Sequence, residues 1–303
     1  MDLPTPAIHL VGPERLGARV RAWAREAGVD LSDGSPRRPP SSLPRFVWAQ
    51  DPRSSVEAAR IAREWGVPGN DPEAVRCALD TAERAEVLRQ SGLPIVAADV
   101  RGSRFELDAF FRPDGSFVPC GVMAPAGSRE DSLADGAMPS GLTAEDERAL
   151  FSLMESAARR LGLEHGPLGA HAVLGPDGPA LIELLPAFRG ELQTCRITPI
   201  VHGRSPVQAW FASLAEAGGP FDLLPPAGDE TLVFRSLGDA TRPSPPAGGL
   251  RSMTPGRGIQ VMELTGTGEP RWVLTTSGWD RAEARERLAR ALRRIDAAGR
   301  IVA

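Results

Sequence analysis

The chain of 303 residues contains no lysine and no tyrosine, so arginine supplies all 35 of its basic residues. A coding bias towards arginine, alanine, glycine and proline accounts for most of this trend. The complete absence of lysine still excludes any chemistry that requires an ammonium side chain. The net charge of −4 is mild and implies neither a nucleic-acid partner nor binding to an anionic membrane.

Cysteine is scarce as well. Cys77, Cys120 and Cys195 lie far apart, are odd in number and include no Cys-x-x-Cys pair. This pattern argues against a disulfide framework or a zinc knuckle and fits a reducing compartment. No apolar run approaches the ~20 residues needed to span a bilayer, and no basic stretch followed by an apolar segment opens the chain. We therefore expect a cytoplasmic protein.

The residues that are present indicate a globular α/β protein. Apolar residues make up 42% and charged residues 24% of the chain, and its length allows two or three packed lobes. Strand and helix patterns alternate through residue 70, which predicts a small parallel sheet. The predicted elements of this region are strands 7–11 and 46–49, a helix ending near Gly28, and helices 54–65, capped by Ser54 or Ser55, and 73–91.

The rest of the chain predicts a mixed, α+β arrangement. Apolar and polar residues alternate on both sides of Pro113-Asp114-Gly115, which predicts a β-hairpin over 105–122. Thr143 is predicted to cap a helix over 144–161. Segments 32–44 and 125–141 are predicted loops. Two strands around Pro176-Asp177-Gly178 precede helix 206–217, strands near 230–237, 259–265 and 271–276, and helix 280–295. We predict three domains, over 1–95, 96–217 and 218–303.

Three stretches, 66–96, 161–190 and 272–295, resemble ATP-grasp ligases and follow the order of that family. In the family, two strands flank a Pro-Asp-Gly turn and the second ends Ile-Glu-x-Asn-Pro-Arg. Here GPLGAHAVLGPDGPALIELLPAFRG (166–190) keeps the turn and the glutamate, Glu183. The family's other acid, its asparagine and its arginine correspond to His171, Leu185 and Ala187. The resemblance implies a truncated ATP-grasp-like fold with an N-terminal parallel α/β domain.

The departures from the family pattern concern its catalytic parts. Only seven residues, 95–101, stand where an active ligase has its lid with a phosphate-binding lysine. The segment 102–108 resembles the family's Gly-x-Glu-x-Ser-Val-Asp strand with Arg104 at the glutamate, and Thr81 replaces a usual lysine. Phosphoryl transfer needs preorganised positive charge, and Mg²⁺ needs near-octahedral oxygen ligands. We therefore expect no ATP-dependent ligation, no metal, no cofactor and no catalytic residue.

Several residues of this region are candidates for ligand contact. Glu183 is either a ligand-contacting carboxylate or a relic paired with a nearby arginine. His171 either joins Glu183 in a small metal site or is a hydrogen-bonded strand histidine. Arg189 is a surface residue or binds a carboxylate, as the corresponding loop of related ligases does. The full set is Arg104, His171, Glu183, Phe188, Arg189, Gly190, Glu191 and Trp48, and Cys195 is expected to be inert.

A scaffold that loses its lid but keeps its core looks like the peptide-binding proteins of crocagin-type pathways, which make ribosomal-peptide natural products. That resemblance implies a non-catalytic protein that binds a precursor peptide and presents it to modifying enzymes. Related ligases are often homodimers, so a homodimer is one possible assembly. Two alternatives stay open: an enzyme with altered, ATP-independent chemistry on a peptide, and a regulatory subunit that completes a ligase in trans.

Overall fold

A computed structural model describes most of the chain, and it divides into two compact units. One unit comprises residues 1–122 and 142–225, and the other comprises 123–141 and 226–303. The predicted division into three domains stays a prediction. The described residues are 7–12, 18–33, 43–49, 51–97, 103–125, 135–189, 192–215, 231–237, 259–264 and 271–301.

The first unit opens with the predicted parallel sheet. Strands β1 (Ala7–Val11), β2 (Asp30–Asp33) and β3 (Phe46–Ala49) are ordered β2-β1-β3, and both pairings are parallel. Helix α1 (Ala18–Glu26) connects β1 to β2 and is followed by Gly28 at a φ of 68°. Strand β2 overlaps the predicted loop 32–44. Its sequence Asp-Leu-Ser-Asp is too polar to predict a strand, and pairing with β1 places it in the sheet.

Helices α2 (Ser55–Trp65), α3 (Pro72–Leu79) and α4 (Thr81–Gln90) follow. Ser54 is the N-cap residue of α2, as predicted, but its side chain makes no capping hydrogen bond. The preceding 3-10 turn, 52–54, is capped instead by Asp51, whose carboxylate accepts the N–H groups of Arg53 and Ser54. The single helix predicted over 73–91 is wrong, because Asp80 has an extended backbone and ends α3. Its side chain accepts the N–H groups of the first turn of α4, and this capping starts the second helix.

The second sheet of this unit contains β4 (Ser103–Phe111), residues 117–122 of β5 (Phe117–Pro125), β7 (Gly166–Gly175) and β8 (Gly178–Leu185) in the order β5-β4-β7-β8. Strands β4 and β8 pair antiparallel with β7. The predicted turns account for the neighbours β4–β5 and β7–β8, but not for the pairing of β4 with β7. Helix α5 (Ala144–Arg160) is capped by Thr143, as predicted. A π-helical turn over 192–197 leads to α6 (Thr198–His202) and α7 (Pro206–Leu214).

An aromatic core joins the parallel sheet to α7 within the first unit. The Trp210 ring lies 5.3 Å from that of Phe46 and 5.1 Å from that of Trp48, edge to face. Phe110 of β4 and Phe211 belong to the same buried cluster. Aromatic pairs of this geometry add to the hydrophobic stabilisation, so β3, β4 and α7 are held together.

The second unit contains β6 (Asp135–Met138), β9 (Thr231–Leu237), β10 (Ile259–Leu264), β11 (Arg271–Gly278) and α8 (Arg281–Ile301). The strands are ordered β10-β11-β9-β6 and pair antiparallel. Strand β6 lies in the segment 125–141, so the loop predicted there is wrong over four residues. Helix α8 buries Ala284, Leu288 and Ala291 against this sheet. No described helix of the protein is long and apolar enough to cross a membrane.

Candidate functional site

A row of charged side chains crosses the antiparallel sheet of the first unit. Glu106 of β4 lies opposite His171 of β7, and His171 lies opposite Glu183 of β8. Residues directly opposite each other project from the same face of a sheet. The His171 Nε2 atom is 3.5 Å from Glu106 Oε1, and its Nδ1 atom is 3.3 Å from Glu183 Oε2. A carboxylate therefore flanks each nitrogen of the imidazole ring.

The guanidinium of Arg189 lies between the same two carboxylates. Its Nη1 atom is 3.2 Å from Glu183 Oε2 and its Nε atom is 3.7 Å from Glu106 Oε2, while Nη2 contacts His171 Nε2. The side chains of Arg189 and Glu106 are each 14% exposed, whereas that of Glu183 is 35% exposed. We call Glu106, His171, Glu183 and Arg189 the arginine cluster.

The backbone of Arg189 is held by a buried aspartate. The Arg189 N–H donates to Asp108 Oδ1 at 2.7 Å. The Thr194 Oγ1 atom lies 3.0 Å from Asp108 Oδ2 and 2.6 Å from the Arg189 carbonyl oxygen. Asp108 is 1% exposed. These contacts tie the segment after β8 to the centre of β4 and so fix the position of the guanidinium.

Gly169 allows this segment to approach β7 closely. It lies opposite Asp108 in the sheet. A Cβ atom at this position would be 2.7 Å from the Ala187 carbonyl oxygen and 2.8 Å from Arg189 Cδ. Any larger residue would therefore displace the backbone that carries Arg189.

Contacts within the cluster shift the pKa values of Glu183 and His171. The hydrogen bond with His171 lowers the pKa of Glu183 to about 2; burial opposes this change and Arg189 adds to it. Burial favours neutral His171, and the contact with Arg189 acts in the same sense. Hydrogen bonds to Glu106 and Glu183 outweigh both effects and raise the pKa of His171. Glu183 thus remains ionised beside fixed positive charge.

Two further buried ionisable groups, Asp108 and Arg84, interact with the arginine cluster. Burial raises the pKa of Asp108 to about 7, against the lowering effects of the Arg189 N–H and the Thr194 hydroxyl. Arg84 of α4 is 2% exposed and donates from Nη1 to the Ala78 carbonyl oxygen at 2.6 Å. Burial lowers its pKa, and the attraction of Glu183 opposes that change. A second arginine thus contributes positive charge near Glu183.

Three of the predicted site residues, His171, Glu183 and Arg189, come together. The interpretation of Glu183 as a carboxylate paired with a nearby arginine describes the observed contact. Arg104 lies on β4 two residues before Glu106, opposite Val173.

Two other candidates belong to the aromatic core. The ring of Phe188 is 6.3 Å from that of Trp210, and Trp48 is 7% exposed against Trp210 and Phe211. Cys195 is buried in the same cluster. Gly190 and Glu191 lie outside the described residues.

The sequence reasoning missed Glu106, Asp108 and Thr194. The sequence does indicate Glu106 and Asp108, because polar residues at 104, 106 and 108 alternate with apolar Phe105 and Leu107. That period places the polar side chains on one face of a strand. Nothing in the sequence marks Thr194, whose role depends on a chain turn that brings it back to β4.

The residues of the cluster do not fit the Mg²⁺ site that the resemblance implies. A guanidinium already lies between the two carboxylates, and Mg²⁺ prefers a shell of oxygen ligands with near-octahedral geometry. His171 supplies nitrogen, and Leu185 supplies no ligand atom. Within the described parts of the chain, no three His, Cys, Asp or Glu residues are grouped to hold a metal ion.

No family model matches the sequence, and no curated protein is significantly similar to it. Solved structures are similar over nearly the whole chain. L-amino acid ligase from Bacillus licheniformis has a TM-score of 0.67 at 13% identity, and 97% of each chain is covered. N5-carboxyaminoimidazole synthase from Aspergillus clavatus has a TM-score of 0.71 at 11% identity, covering 96% of this chain and 99% of that one.

A third similar structure is glycinamide-RNase-transformylase T from Mycobacterium tuberculosis. Its TM-score is 0.68 at 15% identity, and the alignment covers 96% of this chain and 99% of that chain. At such identities the likeness is one of fold. The parallel sheet, the antiparallel sheet and these similarities establish that the chain has an ATP-grasp-like fold.

Proposed function

We propose that this protein binds a peptide on an ATP-grasp scaffold and does not ligate it with ATP. The observation that carries the proposal is the position of the Arg189 guanidinium between Glu106 and Glu183. An internal cation there compensates the negative charge that would otherwise attract a divalent cation. A Mg²⁺ ion entering this space would meet a fixed positive charge and two engaged carboxylates.

The remainder of the chain supports the loss of ATP chemistry. Phosphoryl transfer depends on cations that bridge the phosphate oxygens and on positive charge placed for the transition state. The sequence has no lysine, and β4 begins at Ser103, directly after the short connection that follows Pro94. That connection is too short to form a lid subdomain over a nucleotide.

A peptide-like ligand is supported by the name of one similar protein. L-amino acid ligase is named for amino-acid substrates. On our chain, Glu183 is the member of the cluster with the most exposed side chain. We infer that Glu183 meets the ligand and accepts an N–H or ammonium group. The hydrogen bond with His171, together with the charge of Arg189, lowers the pKa of that carboxylate and keeps it ionised.

The edge of β8 offers a path for an extended peptide. Strand β8 is the last strand in the order of its sheet. The Leu181 N–H donates to the Pro94 carbonyl oxygen, and the Val96 N–H donates to the Leu181 carbonyl oxygen, both at 2.9 Å. A peptide strand would therefore run beyond Leu181, towards Leu185. Added strands gain affinity from main-chain hydrogen bonds.

The proposed setting is a bacterial ribosomal-peptide natural-product pathway in the cytoplasm. The protein would hold a precursor peptide, alone or as a homodimer, and present it to modifying enzymes. A short reading frame beside the gene, if present, would supply the candidate peptide. A labelled peptide from such a frame is expected to bind in a polarisation assay. Mg²⁺–ATP is expected to give no heat of binding in calorimetry and no ADP.

Variants at Glu183 test the site itself. Glu183→Gln keeps the shape but removes the charge, so peptide affinity should fall, whereas the exposed control Glu86→Gln on α4 should leave it unchanged. ATP turnover stimulated by the peptide would refute the proposal. Modification of the peptide by the protein alone, lost in Glu183→Ala, would favour ATP-independent chemistry instead. Stable co-purification with an intact ligase would favour a regulatory subunit.

A further inference from the structure

A second site lies in the first unit, away from the arginine cluster. It is a cavity of about 280 Å³ between the start of β3, the turn after β4, the start of β7 and the end of α7. Phe111 pairs with Gly166 there, whereas Glu106 pairs with His171 five residues along the same strands. At about 3.4 Å per residue, the cavity is roughly 17 Å from the cluster.

The position of the cavity is unusual for an α/β protein. Ligands of open parallel sheets bind beyond the carboxyl ends of the strands, which here are Val11, Asp33 and Ala49. The cavity instead lies at the amino end of β3, beside Pro44 and Phe46. It is therefore distinct from the ligand crevice expected for this type of sheet.

Aromatic and aliphatic groups form most of the cavity wall. The rings of Phe46, Phe111 and Trp210 line it, together with prolines and Leu214. Pockets for drug-sized ligands usually measure about 300 to 1,000 Å³. A cavity just below that range suits one planar ring system with a short substituent.

The polar part of the wall is cationic. Arg45 and Arg112 line the cavity, with Arg45 Nη1 donating to the Leu214 carbonyl oxygen at 3.2 Å, and the described part of the lining includes no aspartate or glutamate. Burial lowers the pKa of His165, the third basic residue of the wall, so this imidazole is neutral at pH 7. The buried Nε1 of Trp210 has no hydrogen-bond partner among the described residues, and Trp210 itself is fully buried. The wall thus carries two guanidinium groups beside the ring of the buried Trp210.

The cavity is built from segments that are held in place. Asn70 donates to the His165 carbonyl oxygen at 2.8 Å and accepts the N–H groups of Glu164 and His165 at 2.8 and 2.9 Å. Gly166 has a φ of 74°, and a Cβ atom there would be 2.5 Å from Phe46 Cζ. The wall is therefore largely preformed, which lowers the entropic cost of binding.

We propose that this cavity binds an aromatic carboxylate, with its ring among Phe46, Phe111 and Trp210 and its carboxylate towards Arg45 and Arg112. Guanidinium groups recognise carboxylates by charge-assisted hydrogen bonds. The ligand is a free aromatic acid or an aromatic residue at the carboxyl end of a peptide. The proposal stands on the cavity alone and does not depend on peptide binding at Glu183.

Calorimetry with indole-3-acetate and its neutral isostere indole-3-acetamide tests the assignment. The acid should bind and the amide should bind at least about tenfold more weakly, because only the acid makes charge-assisted bonds. Arg112→Met should weaken binding of the acid by about ten- to hundredfold and leave the amide unaffected. Arg60→Met, at a side chain 64% exposed on α2, is the matched control.

The unmodified protein gives an independent readout. In the imidazole proton spectrum, the acid should shift the His165 signal and leave that of His171 in place. An acetylated tripeptide with a carboxyl-terminal tryptophan, compared with its carboxamide, separates a peptide source from a free acid. Equal binding of acid and amide, no binding of either at millimolar concentration, or an unchanged affinity in a folded Arg112→Met variant would overturn the proposal.

Discussion

Replacing Asp108 with asparagine should stabilise the protein at pH 8, although it removes a buried charge that accepts hydrogen bonds. The Thr194 hydroxyl has one hydrogen and two oxygen neighbours, at 2.6 Å on Arg189 and at 3.0 Å on Asp108. If the hydroxyl hydrogen is donated to the nearer Arg189 carbonyl, Thr194 Oγ1 can only accept from Asp108. A hydrogen bond between them then requires a protonated Asp108. An asparagine amide donates in the same place, and its oxygen still accepts the Arg189 N–H.

The magnitude follows from the pKa of Asp108. Burial raises this pKa from 3.8 to about 7, so the folded state binds the proton more tightly than the unfolded state. Stability from this group is complete below pH 3.8 and falls as the pH rises towards 7, by about 1.4 kcal/mol per pH unit. At pH 8 the ionised aspartate therefore costs up to about 4 kcal/mol, which Asp108→Asn would recover.

Urea denaturation followed by tryptophan fluorescence at pH 5, 6.5 and 8 measures this effect. The gain of the variant over the native protein should grow with pH across that range. Asp114→Asn is the matched control. Asp114 is exposed, and hydrogen bonds from Ser116 lower its pKa, so its substitution should give no gain at pH 8. An Asp108→Asn protein that is less stable than the native one at pH 8, or has the same pH dependence, would refute the reasoning.

Three other results are expected from the arginine cluster. Gly169→Ala should destabilise the protein by about 1–3 kcal/mol in urea denaturation. Gly175→Ala should be tolerated, because the Cβ atom there would have its nearest neighbour at 3.9 Å. Equal effects of the two substitutions would contradict the packing argument. Proton NMR should give His171 a pKa above 6.5 that falls in Glu183→Gln, because the carboxylate stabilises the imidazolium; an unchanged value would contradict this. Arg189→Met should cost about 3 kcal/mol at pH 7, since it leaves Glu106, whose side chain is 14% exposed, with His171 alone beside it. An unchanged free energy of unfolding in urea would count against the pairing.

The parts of the fold that depend on local pattern were predictable. Thr143 before α5, the turns after β4 and β7 and the positive φ of Gly28 follow from short-range backbone chemistry. Strand β2 was not predictable in this way, because its four residues are mainly polar and gain their conformation from pairing with β1. The break at Asp80 was missed because aspartate is tolerated inside a helix yet favoured as a cap.

Some residues of the candidate site were likewise predictable from the sequence and others were not. His171, Glu183 and Arg189 were found through the resemblance, which compares positions along one segment. Glu106 and Asp108 were missed because their importance depends on the register of β4 against β7, more than 60 residues later in the chain. Register is set by which faces are buried, and a single sequence gives only the alternation.

Sequence position alone also could not settle what Arg189 does. A surface arginine would point to solvent, and an arginine that binds the carboxylate of a ligand would need a guanidinium that the ligand can reach. Instead the N–H groups of Arg189 face two carboxylates and an imidazole inside the protein. A bound metal ion can leave or exchange, whereas a side chain anchored through Asp108 and Gly169 keeps its charge in place at every metal concentration. Because both carboxylates retain a permanent partner, Glu183 stays ionised at its solvent-facing side. Under the proposed function, Glu183 would therefore offer an ionised contact point to a ligand without the cations on which phosphoryl transfer depends.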